Sequence, residues 1–225
     1  MKKKYFNDAF IGNRKMIASI SRHGELLRLS YPTVDYRQFI DFYETGVKIN
    51  DSMLIRLEDD INNVYKQYYY EDTNVLNTEI ENTYFNLKIL QEDFIPMEEE
   101  VLIRRYEFTN NNKIDLDVKF LINSKMFSNL NNMVGARVCN NAMLQYGHDF
   151  AMATFSNLPI HGYQLNNVDN NISSGILQDK DYIGMSDHSA VSYDIGTIKP
   201  GETKKFNIYI YINKNYNVDV LYDLI

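Results

Sequence analysis

The stretch IDLDVKFLI, residues 114–122, shows the pattern that decides the fold. Apolar side chains stand at every second position, and Asp115, Asp117 and Lys119 lie between the first four of them. Successive side chains of a β-strand point to opposite faces, so this spacing predicts a strand with one buried and one solvated face. The side chains predicted to face inward are Ile114, Leu116, Val118, Phe120 and Ile122.

The same alternation recurs along most of the chain. A second clear strand has its inward face formed by Phe206, Ile208, Ile210 and Ile212. Weaker versions occur at residues 16–21, 26–31, 53–58, 63–70, 74–81, 84–90, 101–109, 143–147, 150–156, 160–165 and 189–195. Turn-forming sequences separate the strands. In KPGE, residues 199–202, proline and glycine suit the two corners of a type II turn. Many short strands without long intervening helices predict an all-β fold, a large antiparallel two-sheet sandwich.

Composition narrows the classes of function. The formal net charge of −7 argues against a nucleic-acid partner, because affinity for phosphate comes chiefly from Lys and Arg. The single Cys139 excludes an intramolecular disulfide and every multi-cysteine metal site. No uncharged apolar run reaches the roughly 18 residues of a membrane span, and no export signal is recognisable. We therefore expect a soluble, cytoplasmic chain without a membrane partner, a metal or a cofactor.

The last residues of the chain show the one clear helical spacing. Val218, Leu221, Tyr222 and Ile225 fall at i, i+3, i+4 and i+7, which places them on one side of a helix. A helix with an apolar stripe needs a surface that covers the stripe. Either this helix folds back on a sheet, or the next domain of a longer polypeptide receives it.

Side chains able to carry chemistry form no familiar catalytic motif. His23, His148, His161 and His188 show no metal-ligand spacing, and the pattern favours ordinary turn or surface histidines. Carboxylate runs such as residues 98–100 are typical of a solvated strand end.

One tyrosine-rich segment is a candidate sugar-binding platform. Tyr65, Tyr68 and Tyr69 could stack on pyranose rings, since tyrosine joins an apolar face to a polar tip. The alternative is a strand with tyrosines on both faces, half of them in the core, and the spacing favours it.

Seven segments in chain order carry a resemblance to a known family. They are GNRK (12–15), RHGEL (22–26), LSYP (29–32), YYEDTNVL (69–76), DFIPM (93–97), RRYEFTN (104–110) and YDIGTIKPGE (193–202). Their order resembles the N-terminal part of bacterial and archaeal family 15 glycoside hydrolases, the glucoamylase, glucodextranase and trehalase group. Each segment alone is weakly specific, but together they cover nearly the whole chain.

The resemblance implies a supersandwich similar to galactose mutarotase, followed by a helical linker and an (α/α)6 catalytic barrel. It implies a β-sandwich domain at residues 1–213 and the start of the linker at residues 214–225. The family's two catalytic glutamates lie on the barrel and act with inversion. No catalytic residue is therefore carried over to this chain, whose expected partner is its own C-terminal catalytic domain.

A second aromatic feature is interpreted through the same resemblance. Loop 31–45 is expected to pack on the barrel near the substrate cleft, through Tyr31, Pro32, Tyr36, Phe39, Phe42 and Tyr43. The alternative, equally supported by the sequence, is that these side chains plug the edge of the sandwich.

Two other functions remain open on sequence alone. The domain could be a stand-alone carbohydrate-binding module that holds an α-glucan oligosaccharide on its tyrosines. It could also be a mutarotase-like sugar epimerase that uses His148, His161 or His188 with a carboxylate.

Overall fold

The structure is a computed structural model that describes residues 7–33, 38–127, 134–147, 150–182 and 185–213. These residues form two antiparallel sheets of eight strands each. The predicted C-terminal helix, with Val218, Leu221, Tyr222 and Ile225, lies outside the described residues. None of the helical segments in the described ranges has the length and apolar character to cross a bilayer.

Sheet A contains the N-terminal strands and three later ones. Its members are β1 (Ala9–Gly12), β2 (Ile17–Ile20), β3 (Leu26–Ser30), β4 (Ile40–Ile49), β5 (Ile55–Arg56), β10 (Leu116–Met126), β14 (Ile160–Leu165) and β15 (His188–Ile198). The strand order is β1-β2-β3-β4-β10-β15-β14, and β5 pairs with β4.

Sheet B contains the other eight strands. They are β6 (Asn63–Tyr69), β7 (Leu76–Asn82), β8 (Leu87–Phe94), β9 (Val101–Asn110), β11 (Gly135–Cys139), β12 (Ala142–Tyr146), β13 (Ala151–Ser156) and β16 (Thr203–Asn213). Their order is β11-β12-β13-β16-β9-β8-β7-β6. Two 3-10 turns, η1 (Val168–Asn170) and η2 (Ile172–Ser174), connect β14 to β15.

The inner faces of the two sheets meet in one apolar core, as the alternating pattern predicts. Every predicted inward residue of β16 is buried, namely Phe206, Ile208, Ile210 and Ile212. In β10 the prediction is wrong at one position, because the strand begins at Leu116 and Ile114 is 59% exposed in the preceding turn. The KPGE turn is confirmed, since Gly201 adopts φ +78° and Glu202 N–H donates to Lys199 O at 2.9 Å. The all-β, two-sheet prediction is confirmed.

The prediction of a loop over residues 31–45 is wrong from Ile40 onward. Those residues begin β4, which pairs with β10 at the centre of sheet A. Aromatic residues in an extended segment suit a pleated, half-buried surface, and β4 uses them that way.

A buried ion pair joins the neighbouring strands β8 and β9 of sheet B, on the face that packs against sheet A. Arg104 Nε donates to Asp93 Oδ1 at 2.7 Å, and both side chains have no exposed surface. Arg104 Nη2 also donates to Gly24 O, in the turn between β2 and β3. A charged group of sheet B is thereby bonded to a turn of sheet A.

Candidate functional site

A polar cluster occupies the outer face of sheet A, where β4, β10 and β15 lie side by side. Phe42 and His188 both pair with Lys125, and Glu44 pairs with Asn123. Directly paired residues share a face, so the strand register brings these side chains together on the side away from the core.

A hydrogen-bonded chain runs through this cluster. His188 Nε2 lies 2.7 Å from Asn123 Oδ1, and Asn123 Nδ2 donates to Glu44 Oε2 at 3.1 Å. An amide oxygen only accepts hydrogen bonds, so Nε2 carries the proton and Nδ1 of the neutral ring holds the lone pair. Glu44 thus orients the amide, and the amide fixes the imidazole tautomer.

The electrostatics of the cluster favour a neutral imidazole. Burial lowers the pKa of His188, and the nearby carboxylate of Asp169 offsets only part of this effect. Nδ1 lies 3.9 Å from Asp169 Oδ2, beyond hydrogen-bond distance. Lys125 Nζ, which also disfavours the protonated ring, lies 3.9 Å from Asp41 Oδ2.

Asp169 reaches this position because the segment around η1 and η2 packs on the outer face of sheet A. Val168 and Ile172 are buried against Leu121 of β10 and Ala190 of β15. Burial of each such side chain stabilises the packing by about 1.5 to 3 kcal/mol. The exposed Asp169 therefore stands at the rim of the cluster on an anchored turn.

A cavity of about 250 Å³ opens beside the cluster. Its lining consists of Met53, Leu54, Arg56, Asp59, Asp60, Ile172 and Ser173. Arg56 joins it to the cluster, since Arg56 Nε lies 4.0 Å from Glu44 Oε2. Its lining mixes charged and apolar side chains, and its volume is just below the roughly 300 to 1,000 Å³ of common small-molecule sites.

The arrangement suits a hydroxylated ligand. A neutral imidazole nitrogen can accept a proton, and carboxylate and guanidinium groups can bind hydroxyls. Among the described residues, no three His, Cys, Asp or Glu side chains are placed to hold a metal ion.

The aromatic residues predicted to face a barrel separate into different environments. Phe39 is 2% exposed and stacks on Phe150 with ring centroids 4.1 Å apart, and Tyr43 is fully buried in the inter-sheet core. Phe42 is half-buried, and its ring lies edge-on to the His188 ring with centroids 5.3 Å apart.

Two of the remaining members, Tyr31 and Pro32, directly follow the end of β3. Tyr31 donates to Glu100 Oε2 at 2.5 Å, and Lys15 Nζ also binds Glu100. Pro32 is half-buried, and Tyr36 lies outside the described residues. The predicted contact of the set with a barrel stays a prediction.

The three tyrosines of the predicted sugar platform do not share a surface. Tyr65 points toward the sandwich, stacks on His23 at 4.0 Å and donates to Leu57 O at 2.8 Å. Tyr68 lies on the opposite face of β6 and is 38% exposed. The Tyr69 hydroxyl binds the backbone N and O of Phe10.

The expectation of surface histidines is wrong for His188, which is 8% exposed at the start of β15. His161 is exposed on β14, and His148 lies outside the described residues. Sequence reasoning also missed Glu44 and Asn123. The available signal was Asn123 itself, a polar residue that directly follows three apolar ones at the end of the predicted strand 114–122.

Comparison with known proteins identifies a distant relative of this chain. No protein-family model matches the chain. A protein of Methanocaldococcus jannaschii named as an uncharacterized glycosyl hydrolase is 29% identical over 217 residues, which cover 89% of this chain. The chain spans 33% of the length of that relative. It is therefore a distant homologue of a protein named as a glycosyl hydrolase.

Solved structures show the same sandwich at low sequence identity. A bacterial glucoamylase in complex with acarbose superimposes with a TM-score of 0.74 at 12% identity, over 97% of this chain and 34% of that one. A putative kojibiose phosphorylase from the human microbiome gives 0.62 at 14% identity, over 96% of this chain and 31% of that one. A putative aldose 1-epimerase of Escherichia coli K12 gives 0.61 at 8% identity, over 92% and 98% of the two chains. The fold is the galactose mutarotase-like supersandwich.

Proposed function

We propose that this chain is the non-catalytic N-terminal sandwich domain of a family 15 glycoside hydrolase of the glucoamylase type. The observation that supports it most is the likeness of nearly the whole chain to a third of a bacterial glucoamylase. The distant relative named as a glycosyl hydrolase is likewise about three times as long as the matched part.

In this proposal the chemistry belongs to the C-terminal catalytic domain. An inverting glycosidase needs one carboxylic acid to protonate the leaving oxygen and one carboxylate to activate water. The catalytic domain supplies both and hydrolyses α-glucosidic bonds. The sandwich supports the folding of that domain and holds it in position.

The proposal is tested on the gene and on the purified protein. We expect the DNA downstream of the Ile225 codon to encode several hundred further residues with helical periodicity. We expect the 225-residue chain to release no glucose from maltooligosaccharides, and the downstream domain to give less soluble, active enzyme when produced without the sandwich. Glucose release by the chain alone, or full activity of the downstream domain without it, would overturn the proposal.

The cluster on the outer face of sheet A favours a second candidate function, a mutarotase-like epimerase. His188 Nδ1 would accept the proton of an anomeric hydroxyl as the bond between C1 and the ring oxygen breaks, and a water molecule would protonate the ring oxygen to give the open-chain aldehyde. After rotation about the C1–C2 bond, reclosure reverses both proton transfers and gives the other anomer. The chain of hydrogen bonds from Glu44 through Asn123 supports this role because it fixes the imidazole tautomer. The sandwich also superimposes on nearly the whole length of a putative aldose 1-epimerase.

Polarimetry of freshly dissolved α-glucose distinguishes the two functions. The epimerase candidate predicts mutarotation above the buffer rate. The excess rate should fall roughly a hundredfold or more in His188→Asn, since general base catalysis contributes about that much. His161→Asn, at the exposed position of β14, is the matched control and is expected to leave the rate unchanged. A wild-type rate equal to that of buffer would remove this candidate and leave the first one standing.

A further inference from the structure

A short segment between β4 and β6 forms one wall of the cavity. We define the strap as residues 54–60. Four of its residues line the cavity, namely Leu54, Arg56, Asp59 and Asp60. Arg56 Nε also lies 4.0 Å from Glu44 Oε2, in the hydrogen-bonded chain that ends at His188. The position of the strap therefore shapes both the cavity and the edge of the His188 cluster.

The backbone of the strap is held on β4 by a short pairing. β5 lies within the strap and pairs with β4 at two positions, Ile55 and Arg56. One residue later, Leu57 N–H donates to Thr45 O at 3.0 Å. Such a short pairing opens locally at a lower free-energy cost than a long central strand does.

The side chain of Glu58 adds a second connection between the strap and β4. Its Oε1 accepts hydrogen bonds from Thr45 N–H at 2.8 Å and from the Thr45 hydroxyl. Its Oε2 is buried and has no hydrogen-bond partner among the described residues. A buried ionised carboxylate needs donors at both oxygens, whereas a protonated carboxyl is neutral. The closed position of the strap therefore favours the protonated group.

Several titratable or charged groups face Glu58 from the elements packed against it. They are His23 and Glu25 of the β2–β3 turn, Tyr43 of β4, Tyr65 of β6, and Arg104 and Tyr106 of β9. Burial, and then the Glu25 carboxylate, raise the pKa of Glu58, and the Thr45 bonds and Arg104 offset only part of this effect. His23 Nδ1 lies 3.0 Å from Glu58 O, so it contacts the backbone of the strap.

We propose that Glu58 is a pH-sensitive latch, whose protonated carboxyl holds the strap on β4 and whose ionised carboxylate releases it into water. Release moves Arg56 away from Glu44 and opens one wall of the cavity. The wall is closed in mildly acidic solution and opens more often as the pH rises. The proposal concerns a local motion within this chain and does not rest on the proposed function.

Hydrogen exchange of single amides tests the latch. Leu57 N–H reports the strap, and Phe120 N–H in the central strand β10 reports the core. After correction for intrinsic exchange, opening at Leu57 is expected to increase between about tenfold and a hundredfold from about pH 5 to about pH 8, with little dependence on urea. Phe120 is expected to exchange far more slowly and with a steep dependence on urea, because its exchange requires global unfolding.

Two matched variants separate Glu58 from its neighbours. Glu58→Gln keeps an acceptor for Thr45 and leaves His23 in place, so its strap is expected to open to the same extent at both pH values. Asp59→Asn makes the same chemical change at an exposed carboxylate of the strap and is expected to keep the increase of the wild type. If Glu58→Gln does not fold, Glu25→Gln replaces it. Without the Glu25 charge the pKa of Glu58 falls, so the increase is expected to be smaller and to end at a lower pH.

Two results would overturn the proposal. If Leu57 and Phe120 exchanged with the same opening free energy and the same urea dependence at every pH, the strap would open only by global unfolding. If Glu58→Gln, or Glu25→Gln in its place, kept the full increase of the wild type, a group other than Glu58 would control the strap.

Discussion

Arg104→Met is expected to lower the free energy of unfolding by about 3 to 5 kcal/mol, because it leaves the buried carboxylate of Asp93 without its charge partner. Both side chains are fully buried, and Arg104 Nε donates to Asp93 Oδ1 at 2.7 Å. Methionine fills much of the same volume, so the loss reports the uncompensated charge more than a cavity. Urea unfolding monitored by circular dichroism measures it.

The same substitution also breaks a connection between the sheets. Arg104 Nη2 and Gln91 Nε2 both donate to Gly24 O in the β2–β3 turn, and Gln91 Nε2 also donates to Asp93 Oδ2 at 2.6 Å. The double variant Asp93→Asn with Arg104→Met removes both charges. We expect it to be more stable than Arg104→Met alone, since no unpaired ion remains buried.

The adjacent register position supplies a matched control. Arg105 and Glu92 pair on the same two strands at 3.1 Å, but their side chains are 43% and 20% exposed. Arg105→Met is expected to cost at most about 1 kcal/mol, because solvent screens exposed ion pairs. Equal losses for Arg104→Met and Arg105→Met would contradict the importance of burial at Arg104.

The alternation of apolar residues was sufficient to predict the fold class, because the sequence of each strand alone distinguishes its buried face from its solvated face. The same alternation places Gln91, Asp93 and Arg104 at inward positions, between Ile89 and Phe108 in the chain. Polar residues in an inward register are a signal of a buried network. Their pairing depends on β8 and β9 lying side by side, which the spacing within either strand does not specify.

The candidate site was beyond such reasoning for a related physical cause. His188 and Asn123 are separated by 65 residues, and Asn123 and Glu44 by 79. They meet because β4, β10 and β15 are neighbours and pair in one particular register. A shift of one residue would turn each of these side chains to the other face of the sheet. The candidate site therefore depends on how the residues of neighbouring strands pair. The sequence pattern indicates only which side chains of a single strand share a face.

A second large effect is expected from Glu58, which links β4 to the segment after β5. Its Oε1 accepts hydrogen bonds from Thr45 N–H at 2.8 Å and from the Thr45 hydroxyl, while Oε2 is buried without a hydrogen-bond partner among the described residues. Burial raises the pKa of Glu58 to about 7, and Glu25 adds to this effect. The Thr45 bonds and Arg104 oppose it only in part.

The sign of the pH dependence follows from this raised pKa. Between the usual glutamate value of about 4.5 and the folded value of about 7, the folded state binds more protons than the unfolded state. Stability therefore falls as the pH rises through this window. The stabilisation that protonated Glu58 provides is fully lost above about pH 7. Between about pH 5 and about pH 8, this loss lowers the free energy of unfolding by about 2 to 3 kcal/mol.

Glu58→Gln is expected to remove this dependence, because glutamine keeps the acceptor for Thr45 but carries no charge at any pH. Relative to the wild type, the variant should gain about 2 to 3 kcal/mol on going from about pH 5 to about pH 8. The difference between the two pH values, measured by urea unfolding, cancels any constant effect of the amide on packing. Asp59→Asn makes the same chemical change at the exposed neighbouring carboxylate and is expected to keep the fall in stability that Glu58 contributes. If the profiles of Glu58→Gln and wild type ran parallel, the Glu58 carboxylate would be charged in the folded protein across the whole range, and the burial of Oε2 would be compensated by a donor in solution.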